Sequence, residues 1–277
     1  MESVRSTPGR LLATTLILAL AGCAQNFYGS AADYSHSVSR VVGAASLERV
    51  VLTSRQGPIT VGPGPDDSVR VRLRVGPARG AMGTRRTCRL DPGAPRVAVK
   101  VSGSTLTLAA EPDLGSECVA DWQLTVPRTM GADLEVVAGD VTVEGVTGGV
   151  DVSSRAGTTE VRVAGGPVEV DAGSGRIEVD YLGDGYGAVS ARTGVGSVEL
   201  EIDGRSLAQR RAPGSGDSVT LEGGAANSVD LRADVGNISV RLGGGRFPDA
   251  TRRLRRSPGA RTPTRAPPRT GPRRSGG

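Results

Sequence analysis

Few residues in this chain of 277 can do chemistry, and their spacing narrows what they can do. The cysteines are Cys23, Cys88 and Cys118, and the one histidine is His36. A structural zinc site takes about four sulfur or nitrogen ligands. His36 lies far from Cys88 and Cys118 in a predicted linker, so no such set assembles in sequence. The same scarcity leaves serine and cysteine nucleophiles without a histidine base. Carboxylates are plentiful: Glu144, Asp151, Glu160, Glu169, Asp171, Glu178 and Asp180. Hydrolysis of a sugar bond needs two of them held several Å apart across the substrate. These acids, however, mostly take the outward position of apolar–polar–apolar triplets, where a solvated face is the expected role. There is no phosphate-cradling loop and no Gly-x-Ser-x-Gly elbow. Gly214-Ser215-Gly216-Asp217 is a single partial echo of a calcium nonapeptide that needs many repeats. Asn237-Ile238-Ser239 matches a glycosylation sequon inside a predicted strand. No catalytic residue, metal or cofactor is expected.

The third cysteine belongs to a different pattern. Arg5 and Arg10 precede Leu11 to Ala21, an unbroken run of apolar, small and Thr residues. The run falls short of the roughly 20 apolar residues that a membrane-spanning helix needs. Charge, a run of this length and then small residues make the layout of a secretory signal over 1–22. Its end, Leu20-Ala21-Gly22-Cys23, resembles the lipobox of bacterial lipoproteins. Small residues let the chain lie extended in a peptidase, and the Cys23 thiol accepts diacylglycerol. The competing expectation is an ordinary cut after Ala21, because Ala19-Leu20-Ala21 also fits a small-x-small rule. With two or more acyl chains, at about 0.8 kcal/mol per buried methylene, attachment is stable. Export then bears on Cys88 and Cys118. Outside the cytoplasm an even pair points to a disulfide rather than a metal site.

Those residues need elements to position them, and composition says which. The 41 glycines and 17 prolines are far above usual, while aromatics make up only 3%. A core must therefore come from Val and Leu on short strands broken by glycine turns. Charge divides the chain as well. Asp249 to Gly277 holds nine arginines and one acid, a net of +8, whereas the remainder carries −3. Residues 23–45 read as the lipidated cysteine and a spacer, and 46–245 as one all-β domain. Residues 246–277 read as an Arg/Pro-rich tail without the apolar residues to fold. Strands are expected at Leu47–Ser54, Ile59–Val61, Ser68–Val75, Arg96–Ser102 and Thr105–Ala109, a strand-rich N-terminal cap section.

From Leu134 to Leu242 a unit repeats: apolar, polar, apolar, then a small turn. It recurs at Val141-Thr142-Val143, Val150-Asp151-Val152, Val161-Arg162-Val163, Val168-Glu169-Val170 and Ile177-Glu178-Val179. Further on come Val198-Glu199-Leu200, Val219-Thr220-Leu221, Val229-Asp230-Leu231 and Ile238-Ser239-Val240. Alternation of this kind is a strand with one buried and one wet face. Glycines recur with it at 139, 157, 175, 196, 216 and 236. Two short strands per turn of about twenty residues predict a β-solenoid, whose rungs stack roughly 4.8 Å apart. A rung is expected to bulge out near Gln209-Arg210-Arg211. The alternative is a β-sandwich, which also yields short, evenly spaced, alternating strands.

Trp122-Gln123-Leu124-Thr125-Val126-Pro127 followed by Gly-x-Val-x-Val units resembles the bacterial putative-adhesin family, over about Leu47 to Leu242. The resemblance implies a β-solenoid at the cell surface without established catalysis. The expected protein is a membrane-anchored exported lipoprotein, adhesin-like, working by binding or structure. Two alternatives stand beside it: a carbohydrate-active enzyme on a β-helix, and a regulatory partner of another envelope protein. Arg252, Arg253, Arg255, Arg256, Arg273 and Arg274 in the tail are candidate contacts for cell-wall polymer or anionic lipid; a tolerated low-complexity terminus is the plainer account. Nucleic acid is not an expected partner. Trp122 is expected in the core, and Tyr181 and Tyr186 as loop decoration or a small contact patch.

Overall fold

The structure is a computed structural model and describes residues 35–78, 87–90, 94–111, 113–114, 117–183, 185–202, 205–206, 216–222 and 227–243. Over these residues the chain is all-β. Sixteen strands join in one large mixed sheet that does not close on itself. The N-terminal strands are β1 (His36–Gly43), β2 (Arg49–Gln56), β3 (Ile59–Pro63), β4 (Ser68–Pro77), β5 (Arg96–Ser102), β6 (Thr105–Glu111) and β7 (Cys118–Val126). The repeat zone supplies β8 (Gly131–Ala138), β9 (Val141–Glu144), β10 (Val150–Val163), β11 (Val168–Tyr181) and β12 (Val189–Val195). Four more follow: β13 (Val198–Ile202), β14 (Arg205–Ser206), β15 (Ser218–Leu221) and β16 (Val229–Leu242).

The repeats lie side by side as parallel rungs. Val150 on β10 pairs with Val168 on β11 and with Ala132 on β8, a shift of one repeat each way. Each rung has two arms that meet at a glycine. In β10 the buried positions run Val150, Val152, Ser154 and then Thr159, Val161, Val163. Their parity changes across Gly157, whose φ of 141° lies where side chains are disfavoured. The glycine therefore turns the strand while both arms keep their apolar side chains inward. A Cβ on Gly157 would overlap the Gly139 carbonyl oxygen, and one on Gly175 would overlap that of Gly157. The same close approach joins Gly57, Gly139, Gly157, Gly175, Gly236 and Gly196 in one column. Gly57 extends the repeat into the N-terminal section, where β2 and β3 form a further rung beside β8 and β9.

Stacking turns the sequence repeat into columns of matched side chains. One column runs Ile59, Val141, Thr159, Ile177, Ile238, Val198, and the next Val61, Val143, Val161, Val179, Val240, Leu200. Burying each aliphatic side chain contributes roughly 1.5–3 kcal/mol relative to leaving it exposed. That is how a chain so poor in aromatics holds a core. Trp122 on β7 is fully enclosed among them, as expected.

Three features differ from the sequence expectations, and the pairing of the N-terminal strands is a fourth that the sequence left open. The ladder does not follow chain order, because β16 lies between β11 and the β12–β13 rung. Val219-Thr220-Leu221, expected as one more parallel unit, lies in β15 and pairs antiparallel with β12. The N-terminal end is finished by antiparallel pairs, β5 with β6, β4 with β7 and β1 with β4. Finally, β1 lies in residues expected to be spacer. Val38 and Val42 pack against the core, but Ser37, Ser39 and an exposed Val41 blur the apolar signal.

Candidate functional site

The surfaces available for function are the outward positions of the stacked rungs, since strand alternation directs every second side chain to solvent. On the second arm, register brings Glu144, Arg162, Asp180, Arg241 and Glu201 into one row across five neighbouring strands. Charge alternates along it. Arg162 contacts Glu144 at 2.9 Å and Asp180 at 3.3 Å, and Arg241 contacts Asp180 at 3.3 Å and Glu201 at 3.6 Å. The hydrogen bonds that Arg162 donates to Asp180 and Glu144 raise its pKa. A parallel row carries Thr60, Thr142, Glu160, Glu178, Ser239 and Glu199. Nearer the glycine corner, Asn237 accepts hydrogen bonds from the Ser197 backbone N–H at 3.2 Å and from its hydroxyl at 3.0 Å. Arg176, Glu178, Ser197, Glu199, Asn237 and Arg241 border a shallow polar depression of about 430 Å³.

The first arm has a different outward face. Asp133, Asp151, Glu169 and Asp230 stand side by side on β8, β10, β11 and β16. Partial burial raises the pKa of Asp151, the charges of Asp133 and Glu169 raise it further, and Arg49 opposes the shift. Arg49 pairs with Asp133, and Arg232 with Asp230 at 3.1 Å. Acids thus line up along both faces rather than turning towards one point. No group of three or more metal-binding side chains occurs among the described residues. In the depression the two carboxylates, Glu178 and Glu199, are separated by the strand carrying Ser239.

Cys88 and Cys118 are joined in a disulfide, the pairing expected from their number and from export. It ties the segment after β4 to the start of β7, the strand that also carries Trp122. His36 stands at the start of β1, its Nδ1 2.8 Å from the Ser35 hydroxyl; far from Cys118 in sequence, it lies one strand removed from the Cys118 end of β7, with β4 between them. Tyr181 and Tyr186 form neither a loop decoration nor a contact patch, because both are buried. Burial raises the Tyr181 pKa, and the nearby Asn227 side chain works against that rise. Nothing in the local sequence marked them, since Gly183-Asp184-Gly185 between them reads as an exposed turn. Cys23 and its leader, Gln209-Arg210-Arg211, and the tail arginines Arg252, Arg253, Arg255, Arg256, Arg273 and Arg274 lie outside the described residues. Among the described residues no helix is long and apolar enough to cross a membrane.

No family model matches the chain. No curated protein sequence matches it either. Several solved structures are similar at low identity, three of them as follows. A putative cell adhesion protein from Clostridium sporogenes is 14% identical, with 75% of this chain and 99% of that one covered, at a TM-score of 0.47. A putative adhesin from Bacteroides fragilis is 12% identical, covering 75% and 97%, at 0.32. A putative lipid binding protein from Parabacteroides distasonis is 7% identical, covering 77% and 96%, at 0.22.

Proposed function

We propose that this chain is an exported lipoprotein, anchored through Cys23, whose folded part is a β-solenoid that binds or scaffolds at the cell envelope without catalysis. The observation that carries the non-catalytic reading is the outer face of the second arm. Its charges alternate and pair in a row from Glu144 to Glu201, and such pairing makes a broad polar surface with a shallow depression rather than a reactive cleft. Catalytic sites instead hold titratable groups together in a concave pocket and push their pKa values apart. The solenoid reading is supported by the one-repeat register between β8, β10 and β11 and by the glycine column. Location outside the cytoplasm is supported by the Cys88–Cys118 disulfide, a bond that persists in oxidising compartments. The extended faces and the basic tail are the surfaces offered to cell-wall polymer, anionic lipid or another envelope protein.

The anchor is tested by growing cells with a fatty-acid analogue carrying a chemical handle. Label on the wild-type chain, lost on Cys23→Ala, is the expected outcome; label retained on Cys23→Ala, or none on either, removes the lipoprotein reading. Binding is tested with the soluble chain, with and without residues 247–277, on purified cell-wall polymer and anionic liposomes. Failure of both forms on both surfaces removes the polyanion reading.

A further inference from the structure

The position of β16 carries a consequence for how copies of this chain interact. It is the last strand in chain order among the described residues, yet it is an interior strand of the sheet. On one side it pairs with β11 from Val168–Val229 through Tyr181–Leu242. On the other it pairs with β12 from Val189–Val229 and with β13 as far as Ile202–Leu242. Both neighbours are complete before β16 is made, so the chain leaves a gap one strand wide between them.

Two rungs with such similar apolar patterns would be expected to close that gap. In the register that β16 bridges, Val168, Val170, Ile177 and Val179 would meet Val189, Ala191, Val198 and Leu200, which match well enough. The outward charges of the second arm oppose closure. Direct contact would set Glu178 beside Glu199 and Asp180 beside Glu201, and like charges directly opposite on neighbouring strands are destabilising. With β16 in place, Ser239 separates the first pair, and Arg241 bonds to both members of the second. On the second arm the gap is thus charged for β16 and unsuited to collapse, whereas on the first arm β16 sets Asp230 beside Glu169 and Arg232 beside Arg192.

We propose that the gap between β11 and the β12–β13 rung is a strand-acceptor site that takes β16 from a second copy of this chain as well as its own. The contacts made are the same in either case, which is what makes exchange of an identical element inexpensive. Addition of a strand from another chain to open sheet edges is an established mode of association, with backbone hydrogen bonds giving affinity and side-chain pockets giving specificity. Here the pockets are those filled by Val229, Leu231, Ile238, Val240 and Leu242, all buried. This inference does not depend on lipidation or on any ligand.

The test uses the full chain with Cys23→Ala and the native disulfide intact, in two forms of different size, each with one added free cysteine. One carries Glu178→Cys on β11 and the other Ser239→Cys on β16, positions directly opposite across the pairing. The two are mixed, unfolded in denaturant, refolded together at high and low concentration, and treated with a short bismaleimide. Expected is a heterodimer band that grows with concentration and exceeds, severalfold, the band from Ser239→Cys mixed with Glu160→Cys, a position on β10 that does not adjoin β16. A second pairing, Glu199→Cys with Ser239→Cys, reports the other wall of the gap and should behave as the first. Heterodimer no greater than in the β10 control for both pairings, with each variant folded by circular dichroism, overturns the proposal.

Discussion

At the scale of single residues, the repeat is imperfect where it matters energetically. Thr159 is fully buried in an aliphatic column between Val141 and Ile177, and its hydroxyl makes no hydrogen bond. Ser54 and Ser154 repeat the situation on the first arm. A buried hydroxyl without a partner loses its water and gains nothing in return, so Thr159→Val should stabilise the fold by about 1 kcal/mol. For a domain of this size that is a rise in melting temperature of roughly 2–4 °C, readable by calorimetry. Asp151 gives a prediction in pH. Its folded-state pKa is raised by burial and by Asp133 and Glu169, so the folded state holds that proton more tightly than the unfolded chain. Its contribution is therefore most favourable in acid and is lost as pH rises through the folded pKa. Asp151→Asn should be more stable than wild type at neutral pH, with the gap closing as pH falls towards and below the ordinary value of 3.8. Denaturant midpoints across that range check it, and a gap independent of pH would contradict the account.

At the scale of elements, the glycine column turns each rung. Any Cβ at Gly175 overlaps the Gly157 carbonyl oxygen, and its φ of 142° strains an L side chain even without that overlap. Gly175→Ala should therefore cost at least about 3 kcal/mol, combining backbone strain with displacement of a packed neighbour. At exposed Gly43, where an added Cβ meets nothing, the same change should be nearly silent. Urea unfolding of the two variants compares them directly. The glycine period was legible in sequence, and so were β2 to β6 to within a few residues. Gly57 was missed because it stands alone, with no neighbouring repeat to establish a period. Gly216 shared the spacing but not the role, since it sits against Thr193 and Gly194 at the start of an antiparallel strand. Spacing alone cannot distinguish a glycine that turns a rung from one that begins a strand.

For the whole molecule, rungs contact mainly their neighbours, so stability is close to a sum of local stacking terms. The ends are then the weak points, and the N-terminal end is where the one disulfide lies. Joining residues 30 apart removes freedom from the unfolded chain, and its loss should cost about 2–4 kcal/mol. The double variant Cys88→Ser, Cys118→Ser should melt lower, with the first protection lost around β4 to β7 and the β10–β11–β16 stack opening later. Hydrogen exchange followed by mass spectrometry resolves that order. Simultaneous loss across all rungs would show that the stack behaves as one cooperative unit instead.

The sequence by itself determined the strand type, the alternation of buried and wet faces, the glycine turns and the cysteine pairing. Each depends on neighbours a few residues apart, except the cysteine pairing, which follows from the count only once Cys23 is set aside as the expected lipid acceptor. Only the tertiary structure decided which rung lies beside which. Nearly identical Val-x-Val units can stack in many orders at similar apolar cost, so hydrophobic pattern does not rank those orders. The row from Glu144 to Glu201 does rank one choice on the second arm, because Arg241 between Asp180 and Glu201 replaces repulsion with two ion pairs. That preference exists only across strands far apart in sequence. The buried state of Tyr181 and Tyr186 is of the same kind, since their local sequence reads as an exposed turn.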